Sequence, residues 1–219
     1  MSSLALMRWL EGSPERYDAG MRVITLGAVG KLHDAVAAAA VVSRGDRVLE
    51  IGCGTGAVTS LMLARGARVT AIDQSPEMLE QAKQRPGLGA DSDVTWLEQT
   101  ASEIDGLPAA SYDAVASSLC LTDMSRSERT YVLREIARVL VPGGRLVIGD
   151  EVRANGGWRR ALQRCWRVPQ AILGWLLAGH LSRPIGDLSG EIRAAGFEIT
   201  GERRWMMGAL ALVIAESAR

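Results

Sequence analysis

The stretch that decides the fold reads Val48-Leu-Glu-Ile-Gly-Cys-Gly-Thr-Gly56, a short apolar run followed by glycines at alternate positions. The run from Arg47 to Ile51 is too short for a core helix and fits a buried strand. Gly52, Gly54 and Gly56 permit a tight turn out of that strand and let a ligand approach the backbone. A helix after the turn offers the N–H groups of its first turn. The stretch therefore predicts a strand, a ligand-binding loop and a helix in succession.

The same alternation of short apolar runs, Gly or Asp turns and helical patterns continues to about residue 150. It is typical of βαβ units that build a parallel sheet. Further strands are predicted at 68–72, 94–97, 114–118 and 145–150, with helices at 54–65, from Ser75 to about Pro86 and at 125–140, and a turn at Pro142-Gly143-Gly144. A helix at 187–195 and an antiparallel pair at 197–204 and 209–216 complete the pattern. The sequence therefore predicts a Rossmann-like, seven-stranded, mostly parallel α/β sheet with helices on both faces.

Taken alone, the glycine loop fits two kinds of site. Gly52-x-Gly54-x-x-Ala57, with Asp73 following 21 residues after Gly52, matches a nicotinamide-dinucleotide fingerprint. In either kind of site, Asp73 at the end of the second strand would accept both hydroxyls of an adenosine ribose. Glu50 discriminates between them, because its carboxylate would repel a pyrophosphate and tolerate a cationic amine or sulfonium.

With this loop, the chain resembles the class I S-adenosylmethionine-dependent methyltransferases. Ser111-Tyr-Asp-Ala-Val115 is similar to the fourth strand of that family, and Leu133 to Val147 is similar to its helix, Pro-Gly-Gly turn and fifth strand. Four motifs in the family's order are more specific than one glycine loop, and the resemblance spans residues 16–150. It implies that the cofactor is S-adenosylmethionine and that the activity is methyl transfer.

The resemblance also implies a set of cofactor-binding residues, which are Glu50, Gly52, Cys53, Gly54, Gly56, Asp73, Gln74, Met78, Thr100, Ala101, Ser102 and Ser117. By the family pattern, the glycines approach the methionine half of the cofactor, Asp73 holds the ribose, and Gln74 and Met78 flank the adenine. The family often has Asp-Ala after the third strand, where the Asp binds the adenine amine. Here Thr100-Ala101-Ser102 stands nearest, so a Thr hydroxyl or backbone groups would substitute.

Two segments before the glycine loop narrow the resemblance. Arg16-Tyr17-Asp18 and Ile24-Thr-Leu-Gly27 are similar to the ubiquinone/menaquinone-type methyltransferases and to the corrinoid-protein-associated methyltransferases. This implies that Tyr17 covers the cofactor from the N-terminal side. An ordinary helix-packing role for Tyr17 is the alternative.

The segment Ser117-Ser-Leu-Cys-Leu-Thr-Asp123 follows the fourth strand and would face the transferred methyl group. It contains neither the Asn/Asp-Pro-Pro-Tyr/Phe motif nor the Pro-Cys motif of nucleic-acid methyltransferases. Methyl transfer from a sulfonium is an in-line displacement that positioning and exclusion of water can accelerate without a base. If a base is used, Asp123 and His180 are the candidates, while Cys120 is read as a buried structural residue.

Composition excludes several classes of protein. With 25 Lys+Arg against 25 Asp+Glu, the net charge is zero, which argues against a nucleic-acid partner. The three cysteines are far apart and the two histidines lack metal-ligand spacing, so no disulfide framework and no metal site are predicted. The apolar stretches are too short to cross a bilayer and the start does not read as a signal peptide. The sequence therefore indicates a cytoplasmic protein, and no pattern indicates its oligomeric state.

The segment 156–184 carries arginines beside an apolar run and reads as a lid or substrate wall. Three roles are open for this segment. It would pack on the sheet edge, or it would admit a hydrophobic substrate or touch a membrane surface, or it would dock a partner such as a corrinoid protein. The whole chain is predicted to be one methyltransferase domain, with a helical cap at 1–45, a cofactor-binding core at 46–151, a helical lid insert at 152–186, and a closing helix and strand pair at 187–219.

The predicted function is methyl transfer from S-adenosylmethionine to a small-molecule acceptor, hydrophobic or carrier-bound. Two alternatives stay open at this point. One is a protein that binds the cofactor without catalysis, because no clear base is present. The other is a nicotinamide-dependent oxidoreductase, which would require a second nucleotide-binding half that the sequence does not display.

Overall fold

The computed structural model describes residues 27–90, 92–153 and 184–217. Its helices are α1 (Ala28–Ala40), α2 (Ala57–Ala64), α3 (Pro76–Lys83), α4 (Arg126–Val139) and α5 (Leu188–Ala194). Its strands are β1 (Arg47–Ile51), β2 (Arg68–Asp73), β3 (Val94–Glu98), β4 (Tyr112–Ser118), β5 (Leu140–Glu151), β6 (Phe197–Trp205) and β7 (Leu210–Ser217). Short 3₁₀ helices lie at Ala101–Gly106, Leu121–Asp123 and Met206–Gly208.

The seven strands form one sheet in the order β3-β2-β1-β4-β5-β7-β6. The pairs among β1 to β5 are parallel, and β7 runs antiparallel to both of its neighbours, β5 and β6. This confirms the predicted Rossmann-like, mostly parallel α/β sheet. The order reverses between β1 and β4, and in open sheets of this kind ligands bind outside the carboxyl ends of the strands at that point.

Helices cover both faces of the sheet because successive strand residues point to opposite sides. In β1, Leu49 packs in the cluster that contains Leu133 of α4 and Ile192 of α5. Its neighbour Val48 packs in the other cluster, with residues of α1, α2 and α3 such as Val36, Met62 and Leu79. The near-continuous apolar character of the central strands follows from burial on both faces.

Two of the differences from the predicted element boundaries involve glycines. Helix α2 begins at Ala57 rather than Gly54, because Gly54 and Gly56 have φ of 51° and 74° and so lie outside the helical region. Strand β5 begins at Leu140, and the Pro-Gly-Gly segment lies within its span, where the register with β4 shifts. The predicted turn is therefore an irregularity inside β5, with Gly143 at φ 72°.

The predicted insert meets the core at a short parallel bridge between Val152 and Ile185. The Val152 N–H donates to the carbonyl of Ala209, and the Ile185 N–H donates to that of Glu151, both at 2.9 Å. Both ends of the segment are thus fixed beside the carboxyl end of β5. The insert itself, His180, and the predicted N-terminal helices with Tyr17 lie outside the described residues, and the domain boundaries stay predictions.

Candidate functional site

The glycine loop joins β1 to α2 at the carboxyl edge of the sheet and is tied to the neighbouring strand. The N–H groups of Gly52 and Cys53 both donate to the carbonyl of Ile72 in β2, at 2.9 and 3.0 Å. The Gly56 N–H donates to the Cys53 carbonyl at 2.9 Å and closes the turn. These bonds fix the loop to the end of β2, next to Asp73.

Asp73 connects three parts of the site through its carboxylate. Its Oδ2 accepts from the Gly54 N–H at 2.7 Å, and its Oδ1 accepts from the Ser75 N–H at 3.0 Å. Ser75 is in turn the N-cap of α3 and accepts from Met78 N–H at 3.2 Å. A carboxylate has about four lone-pair sites, so two donors leave capacity for further hydroxyl donors. The half-buried Asp73 therefore fits the predicted ribose contact.

Gly52 lies directly against the loop that follows β4. Its φ is 71°, and a Cβ added there would lie 2.6 Å from the Cβ of Cys120, closer than real atoms approach. Gly54 differs, because an added Cβ would meet no protein atom within 4 Å. Gly56 is confined again, with Leu88 Cδ1 at 2.7 Å. The loop is thus closed against protein at its first and third glycines and open at the second.

Glu50 lies beneath the glycine loop and is 2% exposed. Its Oε2 accepts from Thr59 Oγ1 of α2 at 2.5 Å. Burial raises the pKa of Glu50 to about 8, the Asp73 charge adds to this rise, and Thr59 and Arg85 oppose it. The carboxyl therefore holds its proton in most molecules at neutral pH, so the predicted repulsion of a pyrophosphate is weaker than a full charge would give. A cationic ligand would favour the ionised form.

This raised pKa predicts a specific dependence of stability on pH. Between about pH 4.5, the ordinary range of a Glu, and about pH 8, the folded chain holds a proton at Glu50 that the unfolded chain has lost. Stability therefore falls as pH rises through this window. We expect Glu50→Gln to reduce that fall, because Gln keeps the Thr59 contact and carries no charge. Thermal melts across the window check this.

The exposed Glu77 is the control, because Glu77→Gln removes a carboxylate whose pKa lies below its usual range through bonds at the start of α3. It should leave the fall in stability with pH as in the unchanged chain. Identical pH profiles for Glu50→Gln and the unchanged chain would contradict the raised pKa of Glu50.

At the end of β3 the structure offers a second candidate beside the predicted Thr100. The Thr100 hydroxyl donates to Glu103 Oε2 at 2.8 Å, within a capping box of the following 3₁₀ helix, and Ala101 and Ser102 continue that helix. In the described parts of the chain, the buried Oε1 of Gln99 has no hydrogen-bond partner. The Gln99 N–H donates to the Asp73 carbonyl at 3.1 Å, which fixes it beside the ribose candidate.

Gln99 was missed by reasoning from sequence, although a polar residue directly after a strand at this edge was the available signal. A buried carbonyl oxygen without a partner is costly, and an amine donor would satisfy it. It therefore fits the adenine amine better than Thr100 does.

The two serines at the end of β4 have different surroundings. The Ser117 hydroxyl is buried and donates to the Ile51 carbonyl at 2.9 Å, so it braces β4 against β1. The Ser118 Oγ is buried and, within the described residues, has no partner. Burial and nearby carboxylates raise the pKa of the Cys120 thiol to about 12, which agrees with a structural role for Cys120.

The other predicted residues lie at the same edge or outside the described chain. Gln74 is exposed and Met78 is half-buried, both at the start of α3, and Asp123 is exposed in the 3₁₀ helix after β4. Cys53 is buried, which raises its pKa. Tyr17 and His180 lie outside the described residues, as does the predicted contact surface at 156–184, which stays a prediction.

Residues 27–90, 92–153 and 184–217 lack two further features. They contain no group of three or more His, Cys, Asp or Glu placed to hold a metal ion. They also contain no helix with the length and apolar character needed to cross a bilayer.

Comparison with known proteins gives a consistent set of similarities. A family model described as a methyltransferase domain matches residues 49–148. A demethylmenaquinone methyltransferase of Tropheryma whipplei is 40% identical over 107 residues, which cover 49% of this chain and 42% of that protein. The chain therefore spans less than half the length of this relative. A demethylmenaquinone methyltransferase of Symbiobacterium thermophilum is 28% identical over 94% of this chain and 89% of its own length.

The fold itself is shared with solved structures. An S-adenosylmethionine-dependent methyltransferase from Methanosarcina mazei matches with a TM-score of 0.63 and 22% identity, over 80% of this chain and 94% of that one. At this identity the likeness shows the fold alone.

Proposed function

Residues 49–148 are a methyltransferase domain of the class I S-adenosylmethionine-dependent family, and from this premise we propose that the chain methylates a small, apolar acceptor molecule. The observation that carries the proposal is the Asp73 carboxylate, held by the N–H groups of Gly54 and Ser75 beside the open Gly54. This arrangement suits a nucleoside with hydroxyl donors, and the nearby Glu50 carboxyl would ionise more readily beside a ligand that carries positive charge.

The residues present fit this cofactor. Asp73 would accept the ribose hydroxyls and the unpartnered Gln99 Oε1 would accept the adenine amine. The open face of Gly54 would lie against the methionine half. When bound, S-adenosylmethionine supplies a methyl group on a positively charged sulfur. A nucleophilic atom of the acceptor would take this methyl group, with S-adenosylhomocysteine as the leaving group.

The chain's own part in the reaction is to position the reactants and exclude water. After β4, Leu121 and Thr122 are buried, and Cys120 of the same segment packs against Gly52 of the glycine loop. Charge is neutralised during transfer from a sulfonium, so a dry, closely packed site contributes to the rate without a base. The roles of Asp123 and His180 as bases stay predictions.

The acceptor is proposed to be a ring compound of the quinone type. Both similar demethylmenaquinone methyltransferases carry a quinone in their names, and neutral total charge here gives no sign of a nucleic-acid acceptor. An apolar acceptor also fits the half-buried Leu119, which directly follows β4. Contact of residues 156–184 with a membrane surface or a corrinoid protein would be a way to receive such an acceptor, and it is a separate proposal.

The test has two parts. Calorimetric titration with S-adenosylhomocysteine and with NAD should give heat of binding for the first alone. Incubation with methyl-labelled S-adenosylmethionine and a short-chain demethylmenaquinol should then give label in the organic extract. Tight NAD binding without a response to S-adenosylhomocysteine would overturn the cofactor assignment. Cofactor binding without label transfer to any quinol or phenol in a panel would favour the non-catalytic alternative.

A further inference from the structure

A buried carboxylate at the end of β5 contacts the loop beside the glycines. Asp150 is fully buried, and reasoning from sequence did not place it in the site. Its Oδ2 accepts from the Thr122 N–H at 3.2 Å, and its Oδ1 accepts from the Glu151 N–H at 2.7 Å. The Leu121 N–H also donates to this carboxylate. Asp150 thus receives two successive N–H groups from the segment that follows β4.

We call that segment, residues 119–124, the β4 loop. It leaves β4 through Leu119, whose φ is 56°, an unusual value for a residue with a side chain. The Leu119 N–H donates to the Gly149 carbonyl of β5 at 2.8 Å. Such a conformation persists only where the surroundings hold it, and here the holding contacts come from two consecutive residues of β5, Gly149 and Asp150.

The β4 loop transmits this restraint to the glycine loop. The Cys120 side chain fills the space beside Gly52, which has no side chain of its own. The other end of the loop is fixed by Arg129 of α4, which donates to the Met124 carbonyl at 2.7 Å and pairs with Glu191 of α5 at 2.7 Å. Only the middle of the loop therefore depends on Asp150.

We propose that Asp150 is a positioning residue for methyl transfer, which holds the β4 loop so that Cys120 packs against Gly52 and the acceptor side of the site keeps its shape. The proposal rests on the proposed function for its effect on turnover. Its structural part, the restraint of the loop, is independent of any activity. Asp150 has no contact with the reacting atoms in this scheme and acts through the loop alone.

The charged and titratable groups around Asp150 come from three elements. Cys120 lies in the β4 loop, Arg129 on α4 and Glu151 next along β5. Burial raises the pKa of Asp150 to about 7, and the Glu151 charge adds to the rise while the backbone N–H donors oppose it. Protonation replaces one acceptor by an O–H that faces N–H donors. The loop is therefore held more firmly above about pH 7 than below it.

The test compares Asp150→Asn with Asp113→Asn. Asp113 lies at the start of β4, at the opposite edge of the sheet, where it accepts from the Arg47 backbone and side chain at 2.9 Å. Asp113→Asn makes the same chemical change, because Asp113 is also a carboxylate that accepts a backbone N–H. Arg47 lowers the pKa of Asp113, so Asp113 does not titrate near neutral pH. Hydrogen exchange at the Leu121 and Thr122 amides, turnover, and affinity for S-adenosylhomocysteine are measured for both variants.

For Asp150→Asn we expect faster exchange at Leu121 and Thr122, and turnover lower by about tenfold to a hundredfold, as misplacement of about 1 Å produces. In the unchanged chain, turnover should rise with pH near pH 7, where Asp150 ionises, and this rise should be absent from Asp150→Asn. Asp113→Asn should keep both the exchange protection and the pH profile. Unchanged exchange and turnover in Asp150→Asn would overturn the proposal.

If Asp150→Asn does not fold, the unchanged chain supplies the second measurement. Its Leu121 and Thr122 amides, corrected for intrinsic exchange rates, should be better protected at about pH 8 than at about pH 6, and equal protection would overturn the proposal. Failure of the proposed function is distinguishable, because it would appear as absent S-adenosylhomocysteine binding in the unchanged chain while the loop protection stays pH-dependent.

Discussion

Replacing Gly52 by alanine is expected to destabilise the folded chain by about 2–5 kcal/mol, the sum of a left-handed backbone and an overpacked contact. Gly52 has φ 71°, and the new Cβ would lie 2.6 Å from the Cys120 Cβ. The Gly52 N–H donates to the Ile72 carbonyl of β2, and Leu119, next to Cys120, donates to the Gly149 carbonyl of β5, so neither residue moves away cheaply. Urea unfolding, monitored by tryptophan fluorescence, measures the loss.

Gly54→Ala is the matched variant. At φ 51° it costs about 1 kcal/mol for the left-handed backbone, and its Cβ meets no protein atom within 4 Å. We expect this variant to fold and to lose affinity for S-adenosylhomocysteine, because the methyl group would occupy the space proposed for the cofactor. Full affinity in a folded Gly54→Ala protein would show that the cofactor does not approach the loop there.

Replacing Asp73 by alanine is expected to weaken binding of S-adenosylhomocysteine by about 1.5–3 kcal/mol, tenfold to more than a hundredfold in Kd, from loss of charge-assisted hydrogen bonds. The loss has two sources. The ribose hydroxyls lose their acceptor, and Gly54 and Ser75 lose the carboxylate that fixes them. Calorimetric titration measures the affinity directly.

Asp46 supplies the control, because its Oδ2 accepts two backbone N–H groups, from Val42 and Ser43, each at 2.9 Å. It precedes β1 and lies away from the glycine loop, at the amino edge of the sheet. Asp46→Ala should lower stability without changing cofactor affinity. Equal affinities for the Asp73 and Asp46 variants would mean that Asp73 does not hold the ribose.

The sheet was predictable because its signals are local. The strand Arg47–Ile51 was predicted to the residue, since a short apolar run ended by glycine leaves little choice of boundary. The N-cap at Ser75 was likewise confirmed, because a serine before proline and an acidic residue carries its own geometry. Asp73 was predicted as a ribose-binding residue because it is an acidic residue at the end of the second strand.

Other details of the site depend on contacts that no local pattern encodes. Ser117 and Ser118 are adjacent and chemically alike, yet one donates to Ile51 and the other has no partner in the described chain. Strand alternation puts them on opposite faces, but the sequence does not show what each face meets. Gln99 and Asp150 matter through neighbours brought from other strands, at Asp73 and at Thr122.

The bridge between Val152 and Ile185 has an evolutionary consequence. Both residues are buried, and their backbone bonds to Ala209 and Glu151 belong to the core rather than to the segment between them. Loop length costs little once both ends are fixed, so that segment can be lengthened, shortened or exchanged while Gly52 and Asp73 stay in place. If this segment forms the substrate wall that the sequence predicts, preference for one acceptor over another can diverge between related chains while the nucleotide-binding edge stays the same.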